Sequence, residues 1–404
     1  MPDVSTPGRA ARPSPGLAAL LDPLPVDRFT TEFHERGHVL VPAGDGGRAL
    51  PLSLADVDAI LAQSSLRSTD LRVVADGRET PVAELAAPGD ATALELLYDC
   101  YRKGSTLVLK FLDERWPPLR ELCAALAADL DARIQVNVYL TPPGARGLTP
   151  HYDTHDVFVV QVSGSKHWRI YDSPYPLPLH GQSYARHRVG PDPGPPVEEF
   201  VMRPGDVFYM PRGCVHDARS RDEASLHMTI GVLPVLWASV VRDAVETAIE
   251  RDERFRRAVP AGTFTEPGGR ADAEAAVGEL LDLVRALADP AQLLDRAERA
   301  AAVGRRPELG GHLLDLEALR SLDGTTTVRR RERVPVAVES DAERIHLRFH
   351  GKQVSLPARV DEQVRFISSA SGPFQPGDLP GGLDSPGQVL LVGTLVREGL
   401  LTVG

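Results

Sequence analysis

Between Arg133 and Leu233 the chain breaks into six short apolar segments: Ile134–Leu140, Asp156–Val162, His167–Tyr171, Glu198–Met202, Asp206–Met210 and Leu226–Val232. Pro142-Pro143-Gly144, Gly164, Pro204-Gly205 and Pro211-Arg212-Gly213 punctuate them. Runs this short, bounded by residues that break helices and turn chains, read as strands. A succession of them predicts a β-barrel or a double-sheet jelly roll. The flanks carry a different period. Trp116–Leu130 places Leu119, Leu122, Leu126 and Leu130 at helical spacing, and Val240, Val241, Ala244, Val245 and Ala248 form a stripe after Pro234. A second helical stretch, about Ala271–Ala302, is expected to break at Asp289-Pro290. The expected class is therefore α+β, with a β domain between helical parts.

At 404 residues the chain has room for two or three domains, and 42% hydrophobic content supports a sizeable core. Residues 1–16, rich in Pro, Ser and Arg without an apolar run, are expected to be a disordered tail carrying neither signal peptide nor membrane anchor. Residues 17–234 form the β domain with an N-terminal elaboration, in which Ser53 and Asp56 mark a helix start. Residues 235–325 are a helical region suited to pairing two copies. Residues 334–404, with strand-like Ile345–Phe349 and Gly399–Val403 around helical patterns, suit a winged-helix-like unit. The intervening run Arg329-Arg330-Arg331-Glu332-Arg333 reads as a solvated linker.

A net charge of −11 opposes general nucleic-acid or membrane-surface binding. From Asp341 to Gly404 seven acidic residues face six basic ones, so direct DNA binding by this unit is disfavoured. Three unclustered cysteines, Cys100, Cys123 and Cys214, give no disulfide framework and suit a reducing, cytoplasmic setting.

The chemistry concentrates in Pro150-His151-Tyr152-Asp153 and Pro211-Arg212-Gly213-Cys214-Val215-His216. Residues two apart on a strand share a face, so His151 and Asp153 can grip one cation, and His216 can complete a triangular face. Two imidazoles and a carboxylate leave coordination positions open, the arrangement of non-haem iron oxygenases. A lone His-x-Asp is weak, since such triplets arise by chance. Lysine occurs only at Lys103, Lys110, Lys166 and Lys352, which makes each position informative.

Together with Asn137–Gly144, Asp156–Gln161, Gly164–Tyr171 and Pro204-Gly205-Asp206, these motifs resemble the ribosomal oxygenase group of JmjC-domain, cupin-like proteins. The resemblance extends to module order over most of the chain. It implies a double-stranded β-helix catalytic domain, a helical dimerisation region and a C-terminal winged helix. It further implies an iron(II)- and 2-oxoglutarate-dependent dioxygenase that hydroxylates a protein side chain. His151, Asp153 and His216 are then the iron ligands, and Lys166 the cation for the distal carboxylate of 2-oxoglutarate. Asn137, Tyr139 and Thr229 match further cosubstrate contacts.

The implied substrate is a His or Arg of a ribosomal protein, and the chain's acidic balance suits a basic partner. Lys166 departs from the Arg that bacterial arginine-directed members carry there, which makes an arginine target the less secure of the two. A biosynthetic precursor peptide is an alternative substrate, and a non-catalytic metal-binding cupin scaffold an alternative role. His155 could approach substrate. Trp168 is a packing anchor, and Cys214 is expected to pack as a small hydrophobe rather than line the pocket.

Overall fold

The computed structural model describes residues 16–44, 47–63, 70–75, 77–85, 92–187, 192–303, 309–331 and 334–404. The expected tail, but for Gly16, and Glu332-Arg333 of the arginine run lie outside these. The chain divides into two compact units, Met1–Pro234 and Val235–Gly404.

The first unit holds eleven described strands: β1 (Val39–Val41), β2 (Leu71–Ala75), β3 (Arg78–Pro81), β4 (Thr106–Leu109), β5 (Ala132–Thr141), β6 (Asp156–Ser163), β7 (Lys166–Tyr171), β8 (Glu198–Met202), β9 (Val207–Met210), β10 (Val215–Arg219) and β11 (Ser225–Pro234). An eight-stranded sheet runs β1-β9-β6-β11-β5-β4-β2-β3, and a three-stranded sheet runs β10-β7-β8. This is the jelly roll that the strand-and-turn pattern predicts. The six segments read from the sequence correspond to β5 to β9 and β11.

Alternation along the central strands sorts residues between two interiors. Ile134, Val136 and Val138 of β5, Phe158 and Val160 of β6, and Leu226, Met228, Ile230 and Val232 of β11 join one core with Leu119, Leu122 and Leu126 of helix Pro117–Leu130. Each such side chain contributes roughly 1.5–3 kcal/mol by leaving water. Val157 and Val159, from the other face of β6, enter a second cluster with Trp168, Ile170, Phe208, Met210 and Cys214. Buried on both faces, β6 can be an unbroken apolar run. On β5 and β11 the opposite face is polar, with Gln135, Asn137 and Tyr139 paired to Gly231, Thr229 and His227. Those polar positions line the cavity.

Pairing of β4 with β5 and β2 attaches the N-terminal hairpin to the sheet. The N-terminal elaboration does not announce these strands in its sequence. Ser53 and Asp56 cap helix Leu54–Gln63 reciprocally, with Ser53 N and Oγ donating to Asp56 Oδ2.

In the second unit, helices Trp237–Arg251, Gly269–Leu287 and Pro290–Val303 succeed one another, the last two separated at Ala288-Asp289. Farther on come β12 (Val328–Arg330), β13 (Ala337–Ser340), β14 (Arg344–Phe349), β15 (Lys352–Pro357) and β16 (Leu401–Val403), with helices Asp361–Ser369 and Ser385–Arg397. The arginine run is not a solvated linker over its described part. β12 pairs with β16, Arg330 donates to the carbonyls of Ala370 and Val334, and buried Arg331 pairs with buried Asp315. The C-terminal core therefore reaches back beyond residue 334 to Val328, with Leu319 and Leu322 packed on it. Composition misled because the guanidinium groups satisfy carbonyls and a carboxylate instead of water.

Candidate metal centre

His151 and His216 face each other through an isolated antiparallel bridge, each backbone N–H donating to the other's carbonyl at 3.1 and 2.8 Å. Their rings lie 4.6 Å apart. Asp153 follows two residues after His151, and its carbonyl accepts from Gly213 N at 3.0 Å, tying it to the turn before β10. One ligand atom from each of His151, Asp153 and His216 lies within 4.8 Å of the others. Among the described residues these are the one group of three able to hold a metal ion.

The tautomers suit that task. His151 Nδ1 donates to the Thr149 carbonyl at 2.8 Å, and His216 Nδ1 donates to the Cys214 carbonyl at 2.9 Å. A carbonyl only accepts, so both Nδ1 atoms carry a proton, which leaves Nε2 as the nitrogen that can bind a metal. Burial, with His151 beside it, pushes His216 down to about 4, so its ring is neutral at ordinary pH. Burial opposes ionisation of Asp153, but His151, His155, His216 and Lys110 hold its carboxyl below the usual range. A carboxylate and two such nitrogens fit a divalent transition metal with open positions.

The cavity holding this group measures about 250 Å³. All seven sequence-predicted site residues line it: His151, Asp153, His216, Lys166, Asn137, Tyr139 and Thr229. Lys166 is 3% exposed, and its Nζ donates to Thr141 Oγ1 at 3.1 Å and approaches His227 Nδ1 at 3.5 Å. Among the described residues it has no carboxylate partner, and burial pushes its ammonium down to about 7. Lys110 lines the same cavity but is paired with Glu79 at 2.7 Å. Lys166 is thus the uncommitted cation, suited to a small anion.

Asn137 serves a second purpose, accepting from Phe111 N at 3.2 Å where Phe111 holds a left-handed φ of 54°. Tyr139 stacks on His227, ring centroids 4.9 Å apart, and burial pushes its hydroxyl above the usual range. Thr229 pairs with Asn137 across β11 and β5.

Sequence alone assigns no role to Thr141 or Thr106, and reads His227 only as an extra imidazole with a structural or rim role. Thr106 Oγ1 donates to Thr141 Oγ1 at 3.1 Å, while burial and then Lys166 hold His227 well below its usual pKa. Their i, i+2 parity with Tyr139 and Thr229 is the signal that marks Thr141 and His227. His155 lines the cavity, as does Trp168, whose buried Nε1 has no acceptor among the described residues. Cys214 packs between the sheets, and burial pushes its thiol up to about 12.

Residues 111–239 match the family model described as JmjC domain, and this part of the chain is a JmjC domain. Similar proteins carry more specific names. Ribosomal oxygenase 1 of Rattus norvegicus is 33% identical over 251 residues, 60% of this chain and 41% of the relative. The bifunctional lysine-specific demethylase and histidyl-hydroxylase NO66 of Drosophila grimshawi is 30% identical over 262 residues, 62% of this chain and 36% of the relative. Ribosomal oxygenase 2 of Rattus norvegicus is 29% identical over 267 residues, covering 55% of that protein, so the chain spans about a third to a half of these relatives. A solved structure of YcfD, a ribosomal oxygenase from Escherichia coli in complex with cobalt and 2-oxoglutarate, superposes with a TM-score of 0.54 at 16% identity. It covers 94% of this chain and 98% of that one. At that identity the likeness establishes a shared fold.

Proposed function

We propose that the protein is an iron(II)- and 2-oxoglutarate-dependent dioxygenase that hydroxylates a side chain of a protein or peptide. One observation carries this reading: a two-imidazole, one-carboxylate group shares a cavity with a buried, uncommitted lysine. The cobalt and 2-oxoglutarate of the E. coli structure support it. A purely scaffolding cupin gives no reason to keep both features.

Bound iron(II), 2-oxoglutarate and dioxygen would supply the oxidising chemistry. The chain's own part is binding and orientation. His151, Asp153 and His216 hold the metal through Nε2, carboxylate and Nε2. Lys166, with Thr141 beside it, pairs with the distal carboxylate of 2-oxoglutarate, and low local polarity strengthens that pairing. Asn137, Tyr139 and Thr229 orient the cosubstrate from the same wall, and His155 meets the substrate side chain.

The substrate in this reading is a ribosomal protein bearing the target His or Arg, its basic surface drawn to an acidic enzyme. A biosynthetic precursor peptide is the alternative. The test is succinate formation by iron-loaded protein with ribosomal proteins and basic peptides, followed by mass spectrometry for one added oxygen. Substrate-dependent succinate supports the reading; none across these candidates, from protein shown to bind iron, rejects it.

We further propose that a second copy covers the helices of the second unit. Trp237, Val241, Val245 and Ile249 recur every four residues on helix Trp237–Arg251 and are 76, 61, 36 and 38% exposed. Helix Gly269–Leu287 buries none of its residues, with Val277 and Leu281 exposed. Such a stripe on one helix face seeks a partner. The C-terminal unit, residues 334–404 together with β12, is proposed as winged-helix-like without a DNA-binding role. No described helix is long and apolar enough to cross a membrane, and three free cysteines suit a reducing cytoplasm.

A further inference from the structure

Tyr152 stands between His151 and Asp153, and Val215 immediately precedes His216. Neighbouring residues of extended chain point to opposite faces, so these two turn away from the cavity. Neither lines it; with Tyr171 they form a small buried cluster, against which Tyr175 and Tyr184 pack. Tyr175 and Tyr184 belong to the connection between β7 and β8.

That connection grips both ligand-bearing segments. Tyr152 Oη donates to the Gln182 carbonyl at 2.8 Å, and its ring meets Tyr184 edge-on with centroids 5.4 Å apart. On the other segment, Val215 N donates to Ser173 Oγ at 3.1 Å. Gly213, at φ 89°, lies so close to the connection that an added Cβ would stand 2.7 Å from both Pro178 Cδ and the Tyr175 carbonyl. The connection is also braced internally. Gln182 Oε1 accepts from Leu179 N at 2.6 Å, Gln182 Nε2 donates to Tyr175 Oη at 3.1 Å, and His187 stacks on Tyr175 at 4.3 Å.

We propose that residues 172–187 are a brace that sets the spacing of His151 and Asp153 against His216, with Tyr152 and Gln182 as positioning residues. The proposal rests on reading the triad as the metal centre. Directly, the two ligand segments are joined by the His151–His216 bridge and the Gly213–Asp153 bond. The brace adds a second set of ties on the far face, and a metal's affinity follows how firmly outer groups orient its ligands. Loosening it should therefore cost metal affinity without touching the cavity.

The experiment is an anaerobic titration of metal-stripped, full-length protein with cobalt(II), followed by visible absorption and read beside the thermal midpoint of the metal-free protein. In Tyr152→Leu the cobalt dissociation constant should rise about 10–100-fold, and in Tyr152→Phe and Gln182→Ala about three- to tenfold. The 2-oxoglutarate affinity of cobalt-saturated variants should stay at the wild-type value, because Lys166 lies on β7 before the brace begins. A lowered thermal midpoint with a dissociation constant within about twofold of wild type means a merely structural role and overturns the proposal. Should Tyr152→Leu fail to fold, unchanged dissociation constants in the other two variants overturn it equally. If wild type binds no cobalt, the metal-centre reading itself falls, which separates that failure from the brace's.

Discussion

At the scale of single residues, burial leaves Lys166 with a protonation equilibrium that an anion must shift. Its ammonium is pushed down to about 7, against roughly 10.4 for free lysine. Above about pH 7 the empty protein holds mostly neutral amine, and since the unfolded chain then binds more protons, stability of the empty protein rises toward about pH 10. A bound dicarboxylate favours the ammonium, so binding takes up a proton and affinity for 2-oxoglutarate should fall as pH rises from about 7 to 9. Calorimetry in buffers of different ionisation heat measures that uptake; pH-independent affinity over this range would contradict it. Lys166→Met should abolish the uptake and weaken 2-oxoglutarate binding about 10–100-fold. His151→Ala and Asp153→Ala should each abolish iron-supported turnover while far-UV circular dichroism stays as in wild type. The triad was legible through its company: His151-Tyr152-Asp153 is weak alone, but with His216, Lys166 and the neighbouring motifs it forms one pattern. Thr141 and His227 were not, since each meets Lys166 only through the sheet, from 25 and 61 residues away.

At the scale of elements, the site depends on β5, β6, β7 and β11 keeping register, because a slip of one residue exchanges cavity and core faces. Gly164 opens the turn that carries the chain from β6 to Lys166, with φ 62° and the Ala224 carbonyl where a side chain would be. An added Cβ would lie only 1.9 Å from that oxygen. Gly164→Ala should therefore destabilise the protein by more than about 1 kcal/mol. A urea midpoint lowered at constant slope is the expected observation; an unchanged midpoint would show that the turn tolerates a side chain. The central strands announced themselves through apolar runs and Gly/Pro turns. β2 and β3 did not, because Arg72, Glu79 and Thr80 break the apolar pattern while still lying in paired strands, and β4 is a run of only four residues, Thr106–Leu109. That hairpin nevertheless brings Val74 and Glu79 to the cavity.

At the scale of the whole molecule, helical periods and the Asp289-Pro290 break were readable because each is local. The role of Arg330 and Arg331 was not, since their partners Ala370 and Asp315 are set by tertiary packing. Burial rather than periodicity distinguishes a core stripe from a docking stripe, so the exposed face of Trp237–Arg251 also needed the structure. Val241→Asp combined with Leu281→Asp should turn a dimer into a monomer in light scattering, with the metal centre retained. A monomeric wild type would contradict the proposed pairing. The central claim, that the buried triad and Lys166 support oxygen transfer to a protein side chain, meets its most direct test in turnover under isotopically labelled dioxygen with iron(II), 2-oxoglutarate and ribosomal proteins. The account predicts one labelled oxygen atom in succinate and one in a substrate side chain, both lost in Asp153→Ala. Iron-loaded wild type that forms neither labelled product would contradict it.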